Sequence, residues 1–441
     1  MTPATRPPDL LESQRGKPAI AQLFARWQAK ADRSPRKPAR SRAESRRILA
    51  RSIRCALVWG FLFFTGVQVA LAIAMEERYP ELRDPEYGYK LAELRCLLAE
   101  APDRPLFLAM GSSRTLNGFA PPLLANPARP VPAVLFNFGL TAAGPLRELL
   151  CTQRLLGQGI RPHWLVIEIM PPFLSINDFW KVEKSDAYGR LSWADLQLLR
   201  SYANDPWAVY TEWLGGRALA CWSQRFCILH RCAPDWCPRA SAINGFLRGV
   251  DASGWLANAV HQVDADQLAR GLAEARLEYP EPLLGSFHIA AEPDLALREL
   301  LALCRRENIT PLLLIMPEGS IFQSWYPVQA KARLQQYLAR LAMVYDVPVV
   351  DARAWVPDSG FMDSHHLTLD GAAVFSARFE RSVLRPLLEG RRPSADLIEY
   401  SSVEKGIWNL QDMRERRGSR HLFQQTAGPK TRLAQTRTPC P

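Results

Sequence analysis

From Cys55 to Met75 the chain runs for 21 residues without a charged side chain (CALVWGFLFFTGVQVALAIAM). As a helix, that run is long enough to cross the roughly 30 Å hydrocarbon core of a bilayer. Its flanks are asymmetric: Arg51 and Arg54 precede it, while Glu76, Glu77 and Arg78 follow. Residues 1–54 carry 14 Lys+Arg against 4 Asp+Glu. By the positive-inside rule this places the N-terminus in the cytoplasm and everything after residue 75 on the far side. The expected location is the cell (inner) membrane, single-pass, with the main domain extracytoplasmic. Two other readings compete, a buried core helix and a cleaved signal peptide ending near Ala70-Leu71-Ala72. The long leading region and the length of the run favour an anchor over a signal peptide.

The net charge of +11 is concentrated at the ends. Residues 391–441 carry 10 basic against 5 acidic side chains, and the chain between the two basic ends has 31 against 35. Basic ends suit nucleic acid or anionic lipid, but aromatic and basic residues do not interleave as in nucleic-acid modules, so no nucleic acid is expected. Residues 1–54, rich in Arg, Pro and Ala, show little apolar periodicity and are expected to be mostly disordered. The basic tail from residue 391 is expected to be exposed and mobile, with anionic lipid or polymer at the membrane surface as its possible contact. With 48% hydrophobic residues, the remainder can bury a sizeable core.

Beyond the apolar run, short apolar segments alternate with helical stretches, the pattern of an α/β domain with a parallel sheet. The strand candidates are Leu106–Met110, Val134–Phe138, Trp164–Met170, Pro311–Met316 and Val347–Val350. In such sheets the active site lies beyond the carboxyl ends of the strands, and the strongest motifs fall directly after the first, second and fifth candidates.

After the first comes Gly111-Ser112-Ser113-Arg114, a small turn that lifts a hydroxyl to the edge of a sheet. After the fifth comes Asp363-Ser364-His365-His366-Leu367, with Gly371 further on. A serine hydroxyl is a weak nucleophile at neutral pH and needs a neutral imidazole to take its proton. A carboxylate fixes the imidazole tautomer, and backbone amides meet the developing oxyanion. Ser113, His366 and Asp363 are therefore the candidate nucleophile, base and orienter. Alternatives stand beside each assignment: Ser113 as a helix N-cap, His365 as the base, and Asp351 as a rival acid or a turn residue. Arg114 is read as a substrate contact or an ordinary salt bridge, and His365 as a wall or substrate contact.

These motifs, in this order, resemble the SGNH (GDSL-like) hydrolase superfamily. The closer resemblance is to its membrane-anchored branch, which includes the alginate O-acetylation proteins and the D-alanyl transfer protein of teichoic acid synthesis. It covers roughly residues 101–390 and implies a three-layer α/β/α domain with a mostly parallel sheet. The resemblance places Ser113 at the nucleophile of the first block and Ser112 at its variable position. Asn137-Phe138-Gly139 matches the second block, implying Gly139 and Ser113 amides in an oxyanion hole and Asn137 near substrate. Asp363 and His366 match the Asp-x-x-His block. The third block departs: Glu168-Ile169-Met170-Pro171-Pro172 stands where Gly-x-Asn-Asp is usual, and Asn177-Asp178 comes too late. What the resemblance implies is serine-dependent O-acyl transfer or O-acyl ester hydrolysis on a cell-envelope or exported glycan. In the transfer version a multi-spanning membrane acyltransferase is the partner. A catalytically silent envelope scaffold or glycan-binding protein is the alternative.

An insertion at about residues 175–290 holds seven of the thirteen tryptophans and Cys221, Cys227, Cys232 and Cys237. It reads as a lid or cap subdomain or as a sugar-stacking platform. The cysteines lack the paired spacing of a structural zinc site and suit disulfides in an oxidising compartment. No Gly-rich phosphate cradle or His-Glu-x-x-His helix occurs, so neither cofactor nor metal is expected. The expected order is a basic segment 1–54, a transmembrane helix 55–75, a juxtamembrane connector 76–100, the SGNH-like domain 101–390 and a tail 391–441.

Overall fold

The computed structural model describes residues 42–124, 130–177, 188–203, 205–236, 249–279, 287–394 and 397–398. The expectations for residues 1–41 and 399–441, and the positions of Trp180 and Cys237, lie outside these. The chain divides into two compact units, Met1–Gly66 and Val67–Pro441. The described part of the first is helical, and that helix, α1 (Arg42–Glu77), continues into the second. It begins at Arg42, ahead of the uncharged run, because residues 42–54 are built almost wholly of Arg, Ala, Glu, Leu, Ile and Ser, with no glycine or proline to stop a helix. The stretch Leu49–Glu77 is long and apolar enough to cross a membrane.

Residues 85–100, expected as a connector, instead form a helix, α2 (Pro85–Glu100), that opens on proline at its first turn. Its Tyr87, Leu91 and Leu94 pack into the domain core. Lys90, on the same helix, is fully enclosed and donates from Nζ to the carbonyls of Asn137 (2.9 Å) and Gly139 (2.6 Å).

Five parallel strands follow: β1 (Leu106–Gly111), β2 (Val134–Gly139), β3 (Trp164–Glu168), β4 (Thr310–Ile315) and β5 (Val349–Asp351). They lie in the order β2-β1-β3-β4-β5, in register with Gly111 beside Gly139 and Glu168 beside Leu314. Near-continuous apolar strands mark a sheet covered on both faces, and the side chains of β1 divide accordingly. Leu106, Leu108 and Met110 enter one core with Leu149, Leu297 and Leu338. Phe107 and Ala109 enter the other with Phe119, Phe375 and Phe379.

Helices that position the site and the insertion are α3 (Ser113–Gly118), α4 (Pro145–Gly157), α5 (Pro206–Ala218), α6 (Ala220–Ser223), α7 (Arg225–Cys232), α8 (Ala265–Glu278), α9 (Ala291–Arg306), α10 (Val328–Tyr345) and α11 (Leu369–Phe379). Helices α2, α4, α9 and α10 share the first core, and α11 the second. Each fully buried Leu or Phe in these layers contributes about 2 kcal/mol of transfer free energy.

The described part of the insertion is mainly helical. It also protects an edge, since Ser253 accepts the amide of Asn137 at 2.9 Å on outer strand β2. Gly254 is required there: at φ +80 a side chain would be strained, and a Cβ would lie 2.1 Å from the Asn137 carbonyl. Cys221, Cys227 and Cys232 are free thiols, so the disulfides expected within this cluster do not link these three. Cys96 of α2 is disulfide-bonded.

Candidate active site

The order β2-β1-β3 puts a reversal of chain direction across the sheet beside β1, and a crevice opens at the carboxyl ends of strands at such a switch point. Strand β1 ends there at Gly111, where only glycine fits: a Cβ would lie 2.2 Å from Thr115 Oγ1 and 2.3 Å from Glu168 Oε2. Ser112 is the N-cap of α3, its Oγ accepting the Arg114 amide at 3.1 Å. The capping role weighed for Ser113 thus falls to its neighbour, which leaves the Ser113 hydroxyl for other work.

That hydroxyl lies 2.7 Å from His366 Nε2. On the far side of the ring, His366 Nδ1 lies 2.6 Å from Asp363 Oδ2, while Asp363 Oδ1 accepts the His366 amide at 2.8 Å. Burial opposes ionisation of Asp363, but its hydrogen bonds to His366 and the nearby imidazole charge outweigh burial and hold the carboxyl well below its usual range. An ionised Asp363 holds the proton of His366 on Nδ1 and leaves Nε2 free to accept from Ser113.

The loop carrying this pair is clamped from behind. Ser364 sits at φ +74, a left-handed conformation that costs a non-glycine residue roughly 1 kcal/mol or more. It is held there because its carbonyl accepts the Gly319 amide at 2.8 Å and its Oγ accepts the Phe322 amide at 3.0 Å. Thr368 caps α11 by accepting the Gly371 amide, and Gly371 packs so closely on Gly360 that a Cβ would meet its carbonyl at 2.1 Å.

Several expected roles are corrected. Arg114 is no substrate contact: it is enclosed, with Nη1 3.2 Å from Glu318 Oε1 and Nη2 donating to the carbonyls of Met316 and Pro317. Asn137 is wholly buried and ties down α3, its Nδ2 donating to the carbonyls of Thr115, Leu116 and Phe119. The Gly139 amide is already spent on Asn137 Oδ1 at 2.8 Å, which removes it as an oxyanion donor. Ala142, in the turn after β2, stands at φ +53, and its amide makes no hydrogen bond among the described residues. The Ser113 amide, at the first position of α3, likewise lacks an acceptor among them.

His365 is a wall. Its ring packs against Tyr279 and Phe322, each 5.3 Å away centroid to centroid, and burial with the adjacent His366 charge pushes it down to about 3. A ring so enclosed, and so reluctant to take up a proton, makes a weak base and lies out of reach of substrate. Asp351, the rival acid, is paired with Arg353 at 2.5 Å. Asn177 accepts the amide of Glu292 at the start of α9.

Two further residues were missed from sequence. Glu168, at the mismatched third block, accepts the Ser112 amide (2.7 Å) and hydroxyl (3.0 Å) and the Thr115 hydroxyl (2.7 Å), so its carboxylate fixes the turn that presents Ser113. Gly271 of α8 faces the catalytic acid, where an added Cβ would lie 2.7 Å from Asp363 Cβ. A glycine inside a helix costs about 1 kcal/mol against alanine, and that is the sequence signal for Gly271. A charged residue closing an apolar strand is the signal for Glu168.

Asp363, His365 and His366 place one donor atom each within 4.8 Å of one another, the spacing of a metal site. Asp363 Oδ2 and His366 Nδ1 are engaged with each other and His366 Nε2 with Ser113, so a cation would have to break the relay to bind. The arrangement instead suits nucleophilic acyl chemistry, with Ser113 activated by an oriented imidazole.

A model of an uncharacterised family matches residues 289–388, the segment from the start of α9 to beyond α11 that carries Asp363 and His366 but not Ser113. No curated protein matches the chain.

Proposed function

We propose that the chain is a membrane-anchored, serine-dependent O-acyltransferase or O-acyl esterase that works through Ser113, His366 and Asp363. One observation carries this reading: Ser113 Oγ, His366 and Asp363 form a continuous relay of 2.7 and 2.6 Å contacts. In the proposed reaction Ser113 Oγ attacks the acyl carbonyl as His366 Nε2 takes its proton. The Ser113 amide meets the oxyanion, the bond to the leaving oxygen breaks, and His366 returns the proton to that oxygen. A second hydroxyl, from water or a sugar, then attacks the acyl-serine by the reverse path. The cell-envelope or exported glycan as acceptor, and a multi-spanning membrane acyltransferase as donor, rest on the SGNH-like motifs alone. The extracytoplasmic placement rests instead on the charge around α1.

A second reading, a catalytically silent scaffold or glycan-binding protein on an SGNH-like fold, draws on a different observation. The Gly139 amide is occupied and the third block supplies a structural carboxylate, not a side-chain amide. Fluorophosphonate labelling of the purified full-length chain decides between them. Labelling at Ser113 that disappears in both Ser113→Ala and His366→Ala supports the enzyme. A folded protein that takes up no label at Ser113 supports the scaffold.

A further inference from the structure

Gln68 is a polar side chain within the uncharged run of α1, about 10 Å along the axis from its end at Met75 at 1.5 Å per residue. In a membrane span such a group needs a partner from the protein, and Gln68 has one. Its Oε1 accepts the backbone amide of Cys221 at 3.1 Å and its Nε2 donates to Cys221 Sγ at 2.8 Å. The partner lies on α6, in the middle of the insertion. The same helices grip the end of α1, through Arg217 to Glu76 at 2.6 Å and Arg231 stacked over Tyr79 at 5.4 Å.

Residues at the height of Gln68 lie below the end of the uncharged run, and the surface of α5–α7 is built for that depth. Trp207, Trp222 and Trp236, the last just beyond α7, are 71, 64 and 79% exposed, with Leu214 and Leu219 open beside them. Soluble surfaces rarely gather so much open apolar area. Arg225 lies over the ring of Trp222 at 4.3 Å, and indoles mixed with arginines are the composition of the bilayer's interfacial belt.

We propose that α5–α7 form a membrane-interface platform: they lie in the headgroup and outer acyl region around the emerging end of α1, with Trp207, Trp222 and Trp236 in contact with lipid. This rests on α1 spanning the bilayer. It assigns the tryptophans of this part of the insertion to lipid and not to a sugar-stacking platform.

The test uses the full-length chain in phosphatidylcholine vesicles with plain or brominated acyl chains, comparing wild type with the triple variant Trp207→Phe, Trp222→Phe, Trp236→Phe. Brominated chains quench only indoles that touch them. With Trp59 of α1 and the half-exposed Trp193 remaining, the quenched amplitude is expected to fall about two- to threefold in the triple variant. Trp222→Phe alone, which leaves the other two indoles in place, is expected to show a smaller fall in the same direction. A quenched amplitude unchanged in the triple variant, with aqueous iodide instead quenching the three indoles, overturns the platform. Alkaline carbonate extraction separates this failure from failure of the span: a chain released by carbonate lacks the span, and a chain retained with iodide-accessible tryptophans lacks only the platform.

Discussion

The carboxylate of Glu168, at the end of β3, holds the backbone amide of Ser112 at 2.7 Å and thereby sets the turn that presents Ser113. It also takes the Thr115 hydroxyl and lies 3.7 Å from the Arg114 guanidinium. All of these groups are buried. Glu168→Gln keeps the volume but removes a charge that compensates Arg114 and turns an acceptor oxygen into a donor against N–H and O–H groups. A loss of about 2–4 kcal/mol is expected, measurable by urea denaturation. A variant with wild-type stability and labelling would show that the carboxylate is not what holds the turn.

Asp363→Asn tests the orienting role. An amide in place of the carboxylate can stabilise neither the imidazolium nor the required tautomer, so the rate of Ser113 acylation is expected to drop roughly 10³–10⁴-fold with the fold intact. The depressed pKa of Asp363 also stabilises the folded chain above the ordinary aspartate range, and this contribution fades as pH falls through that range towards the folded value. The stability gap between wild type and variant should therefore be widest near neutral pH and narrow in acid. A gap independent of pH would contradict the assignment.

Gly271→Ala separates helix stability from site geometry. Alanine favours α8 by about 1 kcal/mol locally, yet its methyl would overlap Asp363 Cβ and crowd the Met362 carbonyl. The expected outcome is a labelling rate lowered about 10- to 100-fold, as for a small misplacement of a catalytic group, without a matching loss of thermal stability. Unchanged labelling would mean that α8 yields and does not support the acid.

Glu148 of α4 is enclosed, and burial, reinforced by the charge of Glu168, holds its carboxyl well above the ordinary glutamate range. The folded chain then keeps a proton that the unfolded chain releases above its ordinary pKa near 4.5, so this residue's contribution to stability falls as pH rises. Glu148→Gln removes that dependence. Its advantage over wild type is expected to grow by up to about 1.4 kcal/mol per pH unit between pH 5 and 7, followed by chemical denaturation at each pH. A difference that stays flat across this range would rule the protonated state out.

Much of the framework was legible from local pattern. Leu106–Met110 and Val134–Phe138 read as buried parallel strands because continuous apolar runs have few other uses in a water-facing domain. Asp363 and His366 read as a pair because their spacing of three residues brings carboxylate and imidazole together within one turn of chain. The apolar run 55–75 marked a helix able to cross a membrane for the same reason of composition and length.

The roles of polar residues were decided elsewhere. Ser112 and Ser113 are adjacent and alike in sequence, and only the position of Glu168, on a strand more than fifty residues away, makes one a cap and leaves the other to His366. Asn137 and Arg114 look like ligand contacts in a linear reading, but enclosure by α3 and by the Met316–Glu318 segment consumes their hydrogen bonds. Gly271 meets Asp363, and Gln68 meets Cys221, across separations that no local pattern encodes. The sequence by itself thus determined the strands, the apolar helix and the local Asp-x-x-His pair, because backbone propensity and hydrophobic period act over a few residues. The tertiary structure decided which polar groups are spent on structure and which remain for chemistry, because a buried donor or acceptor takes its partner from whatever the packing brings within about 3 Å.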